Sequence, residues 1–195
     1  MSRPLLPACA CAALLLSGCL VPERFTARAA FQADGSYEYS YAGTAVHTIA
    51  AGQLAKGGKL VPKDEESLGS DAAAIRHDQD IRQAEYKGNA RYDLSVEGKR
   101  QRGQALDLLG VLRVATDKDG VVTLAAGKLD NKEKASMAKL GIKLDGTLSV
   151  TVPISAQVLS HNATSTPSFF GLIGTYSWKI GSIEQRPEMK IRFKP

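Results

Sequence analysis

Two runs of alternating side chains, separated by Ala33-Asp34-Gly35, limit what this chain can fold into. Phe25, Ala27, Ala29 and Phe31 alternate with Thr26, Arg28, Ala30 and Gln32; Tyr37, Tyr39 and Tyr41 alternate with Glu38, Ser40 and Ala42. Side chains two apart share one face of a strand, so each run carries one apolar stripe. Loop length then decides register. A two-residue Asp34-Gly35 turn would pair Phe31 with Glu38 and set the stripes on opposite faces. A three-residue loop pairs Phe31 with Tyr37, Ala29 with Tyr39 and Ala27 with Tyr41, and gives Gly35 the left-handed position such loops need. The three-residue register is expected.

Residues 112–126 repeat the device around Lys118-Asp119-Gly120, facing Val114 with Leu124 and Leu112 with Ala126. A helix is expected from Thr44, as a candidate N-cap, to about Ala55, ended by Gly57-Gly58. A second is expected after Pro62, with Asp64, Glu65 and Glu66 near its positive end, running to about Arg82. Strict alternation from Glu85 to Val96 predicts one half-buried antiparallel strand. A short helix near Asn131–Leu140 precedes a strand from Leu144 to Val152, and further strands are expected at Ala156–Ser160, Thr175–Ile180 and Met189–Lys194. Strand runs dominate, so the expected fold is α+β: mainly antiparallel sheet with two or three packed helices in a single domain.

Residues 1–18 are a separate matter. Arg3 is their only charge, the run from Leu5 to Leu16 is apolar, and small residues follow. That run is too short to cross ~30 Å of hydrocarbon, which needs about 20 apolar residues, and it reads as a secretory signal. It closes as Leu16-Ser17-Gly18-Cys19, which resembles the lipobox of bacterial lipoprotein signals at all four positions. The resemblance implies that Cys19 receives a diacylglyceryl thioether, becomes the new N-terminus and is acylated on its amine. By analogy with enteric sorting rules, Leu20 after the cysteine implies transfer to the outer membrane, on its periplasmic side. The expected organisation is a signal peptide over 1–18, an anchor and linker over 19–24, and one domain over 25–195.

Removing 18 of 195 residues leaves 177, enough for a sizeable core, and the loss of Arg3 lowers the net charge from +5 to +4. That balance suits contact with anionic lipid and is short of a nucleic-acid footprint. The other two cysteines, Cys9 and Cys11, leave with the signal. The mature domain therefore has no disulfide and no thiolate-bound metal, and must be held by packing.

The start of the mature chain, with an anchoring cysteine followed by Phe25–Ala33, an Asp-Gly turn and a second strand, resembles LppM-type bacterial lipoproteins. So does the end, where Gly146–Val152, Ala156–Ser160, Asn162 and Thr175–Lys179 with Trp178 follow that family's strand order. The likeness covers about a third of the mature chain. It implies an α+β domain on a lipid anchor, with lipid or glycolipid contact, and it transfers no site residues. This sequence departs from the family in having no later segment long enough to span a membrane.

Catalytic and metal-binding patterns are absent from the sequence. His47, His77 and His161 are the only histidines, and no HExxH spacing or Gly-x-Ser-x-Gly elbow occurs. His77-Asp78-Gln79-Asp80 would splay its side chains around a helix and reads as a solvated charge cluster. Asp117-Lys118-Asp119-Gly120 has the look of a calcium loop, but lacks that loop's later oxygens; a hairpin turn explains it. No cofactor, no metal and no enzymatic activity are expected.

Three candidate surfaces remain. Phe169, Phe170, Leu172 and Ile173 lie in a glycine-interrupted segment that either plugs one end of the sandwich, the favoured reading, or forms a membrane-dipping tip or partner-binding patch. Tyr39, Tyr92 and Trp178 either pack in the core, again favoured, or line a ligand cavity with polar tips. Lys190, Arg192 and Lys194, opposite Met189, Ile191 and Phe193, either meet phosphate headgroups or guard an edge strand against aggregation. The expected function is a non-enzymatic, membrane-anchored binding protein for a lipid or amphipathic ligand. The alternative is an assembly factor that docks on an envelope protein through residues 169–173.

Overall fold

The computed structural model describes residues 20–167 and 174–194. It is an α+β fold with two mainly antiparallel sheets and three helices, as the alternation predicts. The six-stranded sheet has the order β10(Gly174–Ile180), β8(Asp145–Val152), β1(Leu20–Phe31), β2(Tyr37–His47), β4(Arg91–Arg100), β3(Ile81–Tyr86). Its neighbours are antiparallel except β1 and β8, which run parallel. The five-stranded sheet has the order β5(Leu106–Leu108), β6(Leu112–Thr116), β7(Val121–Ala125), β11(Glu188–Arg192), β9(Gln157–His161), antiparallel throughout.

Both Asp-Gly hairpins adopt the three-residue register. Phe31 pairs with Tyr37, Ala29 with Tyr39 and Ala27 with Tyr41, and Gly35 has φ +83°. In the second hairpin Val114 faces Leu124, and Gly120 has φ +74°. The Asp117 side chain accepts from the N–H groups of Asp119 and Val121, which accounts for that aspartate as a turn residue.

The two inner faces share one core, joined by contacts such as the Phe31 and Phe193 rings, 5.5 Å apart. Leu148 and Val150 of β8, Leu112 of β6 and Ile191 of β11 are fully enclosed in it, each contributing roughly 1.5–3 kcal/mol by burial. Helix α2(Pro62–Ile75) joins this core through Leu68, Ala72 and Ile75, and the Tyr92 hydroxyl donates to the Leu68 carbonyl. Helix α3(Asn131–Lys139) packs its Met137 with Val46 and Ile142 in a smaller cluster that reaches Val21. Its start is a capping box: Asp130 accepts from the Glu133 N–H and Glu133 accepts from the Asp130 N–H.

Several boundaries differ from the sequence expectation. Helix α1 spans Thr48–Gly57, and Thr44–His47 extend β2 because Ala45, Val46 and His47 pair with Pro22, Val21 and Leu20. His47, not Thr44, is the N-cap, its ring nitrogen accepting from the Ala50 N–H. Helix α2 stops at Ile75 and not Arg82, since β3 begins at Ile81. The single strand expected over 85–96 is two, β3 and β4, folded back at Gly88-Asn89-Ala90, all three with positive φ. Residues 20–24, expected as linker, are strand, with Leu20 only 5% exposed. A register shift between Pro22 and Phe25 keeps Leu20, Pro22 and Phe25 all buried despite the odd spacing.

Candidate functional site

Tyr39, Tyr92 and Trp178 are 4%, 1% and 4% exposed, and each polar tip has a partner: Asp80, the Leu68 carbonyl and Asn162. All three pack in the core and do not wall an open cavity together; Tyr39 alone borders a hollow. Lys190, Arg192 and Lys194 are exposed on the outer face, with Met189, Ile191 and Phe193 buried beneath. The edge-guarding explanation fails, because β11 is hydrogen-bonded on both sides, to β7 and to β9. Phe169, Phe170, Leu172 and Ile173, and Cys19, lie outside the described residues. The segment's flanks are held together: Ser165 bridges Ser177, and Pro167 sits so close to Gly174 that an added Cβ there would collide with it.

The three histidines are dispersed. His47 caps α1 with its pKa lowered by burial, His77 follows α2, and His161 on β9 accepts from the Ala163 N–H against the Tyr176 ring. Among the described residues no group of three or more His, Cys, Asp or Glu is placed to hold a metal ion.

Empty space gathers instead around the start of β1. A cleft of about 280 Å³ opens between the sheets, with a floor that includes Leu20, Pro22, Phe25, Val111, Leu144 and Ile180. That volume falls just below the ~300–1,000 Å³ typical of small-ligand sites. Its rim is basic. Arg186 donates one Nη to the Ala126 carbonyl, while its buried Nε has no hydrogen-bond partner. Lys128 and Arg113 stand beside it, Arg113 paired with Asp107 at 2.8 Å. Of the two acids lining the cleft, Asp107 therefore answers Arg113 and Glu133 is committed to the α3 cap.

No protein-family model matches the chain, and no curated protein matches it significantly.

A second hollow, of about 460 Å³, lies where α2, β4 and β5 meet. Leu94, Val96, Leu106 and Leu108 line it, with Asp78, Asp80 and Arg100 at its edge. Leu20, Asp107 and Leu109 border both spaces and form the partition between them. Leu109 has φ +49° and is followed by Gly110 at +70°, so the β5–β6 turn is of the I′ kind, closed by the Val111 N–H on the Leu108 carbonyl. A leucine there costs roughly 1–2 kcal/mol of backbone strain, and strain of this kind gathers at functional sites.

Nothing in the sequence singles out the cleft residues. They come from β1, the β5–β6 turn, the stretch after β7, the start of α3 and the approach to β11, and no spacing within any one segment marks them.

Proposed function

We propose that this protein is a non-enzymatic lipoprotein, anchored by acylated Cys19 to the periplasmic side of the outer membrane, whose domain binds an anionic amphiphile. The lipobox at Leu16–Cys19 supports the anchor and its address. The cleft between the sheets supports the ligand class. Its apolar floor accepts a hydrocarbon chain by the same burial that drives folding. Its basic rim offers charge-assisted hydrogen bonds to a carboxylate or phosphate. The single observation that carries the reading is the Arg186 Nε, buried at the rim of an apolar cleft without a partner. Buried polar groups are nearly always satisfied, and an anionic headgroup supplies what this one lacks.

The probe is cis-parinaric acid, a fluorescent carboxylate with a single chain. The full protein, purified in mild detergent, is expected to bind it with enhanced fluorescence. Arg186→Gln should weaken that binding about tenfold or more while leaving the unfolding midpoint within about 1 kcal/mol, the scale of one hydrogen bond. Absence of binding by the intact protein, together with native mass spectra free of any lipid adduct, would remove the ligand reading. A Cys19→Ser protein that still sediments with membranes would remove the anchor.

A further inference from the structure

Leu20 is buried and already paired in β1 with His47. Cys19 precedes it by one peptide unit, so their Cα atoms are ~3.8 Å apart. In the anchored form proposed above, no spacer separates the acylated residue from the folded body. We infer that the pole of the sandwich where β1 begins lies directly against an anionic phospholipid bilayer, with the first turn of α1 entering the interface. The inference rests on the anchor at Cys19 and adds an orientation to it.

The surface at that pole fits such a neighbour. His47, opposite Leu20, caps α1, and two residues later Ile49 is 61% exposed. Ile49 shares an open hollow of about 630 Å³ with Val21, Met137 and Leu140, and Lys132 and Lys139 stand on its rim. The two acids in that hollow, Asp130 and Glu133, are the pair that caps α3, each carboxylate accepting a backbone N–H. An apolar tip flanked by two lysines suits the headgroup region, where each basic residue near an anionic surface contributes about 1 kcal/mol. The cleft bounded by Leu20 and Pro22, with Lys128 at its rim, opens at the same pole, so its ligand would come from the bilayer it touches.

The opposite pole offers a rival. Strand β8 runs parallel to β1, so Ile154, just beyond its end and 66% exposed, is far from Leu20. The 12 residues of β1 span on the order of 36 Å. Val152 pairs there with Gly174, so the roots of the 168–173 segment belong to that distal end. Pro167 and Gly174, which flank residues 168–173, therefore lie at the pole away from the anchoring membrane.

Cysteine labelling tests the orientation, because the anchor consumes the mature chain's own thiol. Ile49→Cys and Ile154→Cys versions of the lipidated protein, each carrying a nitrobenzoxadiazole label, are reconstituted into vesicles of phosphatidylethanolamine and phosphatidylglycerol containing a nitroxide lipid. The label at 49 should be quenched severalfold more than the label at 154. Lys132→Glu with Lys139→Glu should reduce that quenching without releasing the protein. Gly52→Cys repeats the measurement with Ile49 retained, since nothing lies within 4 Å of an added Cβ. Quenching at 154, or at neither pole in protein that floats with the vesicles, overturns the orientation alone. A free thiol at Cys19 in protein that does not float overturns the anchor, and the orientation with it.

Discussion

The Phe25 ring lies against Gly146, its partner in β8, where an added Cβ would come within 2.6 Å of the ring carbons Cε1 and Cζ. On the other side, Gly43 of β2 is pressed against Phe25 and the Arg24 carbonyl so closely that a Cβ would collide with backbone. Two glycines in one row thus seat Phe25, Gly146 clearing its ring and Gly43 its backbone, and the ring stacks on Tyr41 and forms part of the cleft floor.

Gly146→Ala should therefore push Phe25 out of its seat. Overpacking of this kind costs about 1–3 kcal/mol, which for a domain of this size lowers Tm by roughly 2–12 °C. It should also weaken cis-parinaric acid binding, because the displaced ring has the cleft to move into. Gly69→Ala is the contrasting substitution: Gly69 is inside α2 with nothing within 4 Å of an added Cβ. It should raise stability by about 1 kcal/mol through helix propensity alone. Calorimetry of the pair checks both signs.

Leu109 supplies a second test. Asparagine tolerates positive φ, so Leu109→Asn removes strain of about 1 kcal/mol while losing a half-buried apolar side chain of comparable value. The net change in urea midpoint should stay within about 1 kcal/mol of zero, well below the ~2–5 kcal/mol of an ordinary core truncation. The same substitution thins the partition between the two hollows. Binding of longer-chain fatty-acid probes should improve relative to shorter ones, and an unchanged chain-length preference would dissociate Leu109 from ligand selection.

The hairpins were legible because each combines strict alternation with a turn whose glycine must take a left-handed conformation. The helix near residue 131 appears where expected, and the structure adds the capping box of Asp130 and Glu133 that starts it. The end of β2 departs from its local spacing for a physical reason. Val46, Ile49 and Ala50 have helical spacing, yet pairing of Ala45–His47 with Leu20–Pro22 holds the segment extended until His47. Such pairing is invisible to a short window. So was the Gly88–Ala90 reversal, because alternation continues on either side of it. The cleft was least legible of all: Arg113, Lys128 and Arg186 become neighbours only after both sheets have formed.

Asp80 ties three elements together. It accepts from the Tyr39 hydroxyl at 2.6 Å and from Arg100 at 2.7 Å, while the Arg100 guanidinium lies 5.0 Å from the Tyr39 ring centroid. Gly98 leaves the space, since a Cβ there would be 2.5 Å from the Tyr39 hydroxyl. Burial pushes the Asp80 carboxyl up, but the hydrogen bonds from Arg100 and Tyr39 and the charge of Arg100 outweigh it and hold it below 3.8. A depressed carboxylate contributes stability above its unfolded pKa, near 3.9, that is lost as pH falls through the folded value. Asp80→Asn should cost about 1.5–3 kcal/mol at neutral pH, the range for hydrogen bonds to a charged group. The deficit should shrink below pH 4, and denaturant midpoints at pH 7 and pH 3 measure it.

The alkaline limit is set by tyrosines. Burial pushes Tyr37 up to about 12, and it raises Tyr39, Tyr41 and Tyr92 as well, with the Asp80 hydrogen bond adding to the effect on Tyr39. In the unfolded chain each ionises near pH 10. Between pH 10 and the folded values the unfolded state therefore holds fewer protons, and stability falls as pH rises. Each site contributes its full stabilisation below pH 10 and loses it progressively above. The protein should therefore unfold cooperatively somewhere above pH 10 at ordinary temperature. Absorbance at 295 nm should show these four phenols ionising together with the loss of near-ultraviolet circular dichroism. Smooth ionisation of all the tyrosines near pH 10, with tertiary structure intact, would mean that these four hydroxyls are open to water in the folded protein. Tyr41→Phe should move the transition to higher pH by removing one of the groups whose ionisation drives it, at the cost of a single hydrogen bond to the Thr44 carbonyl.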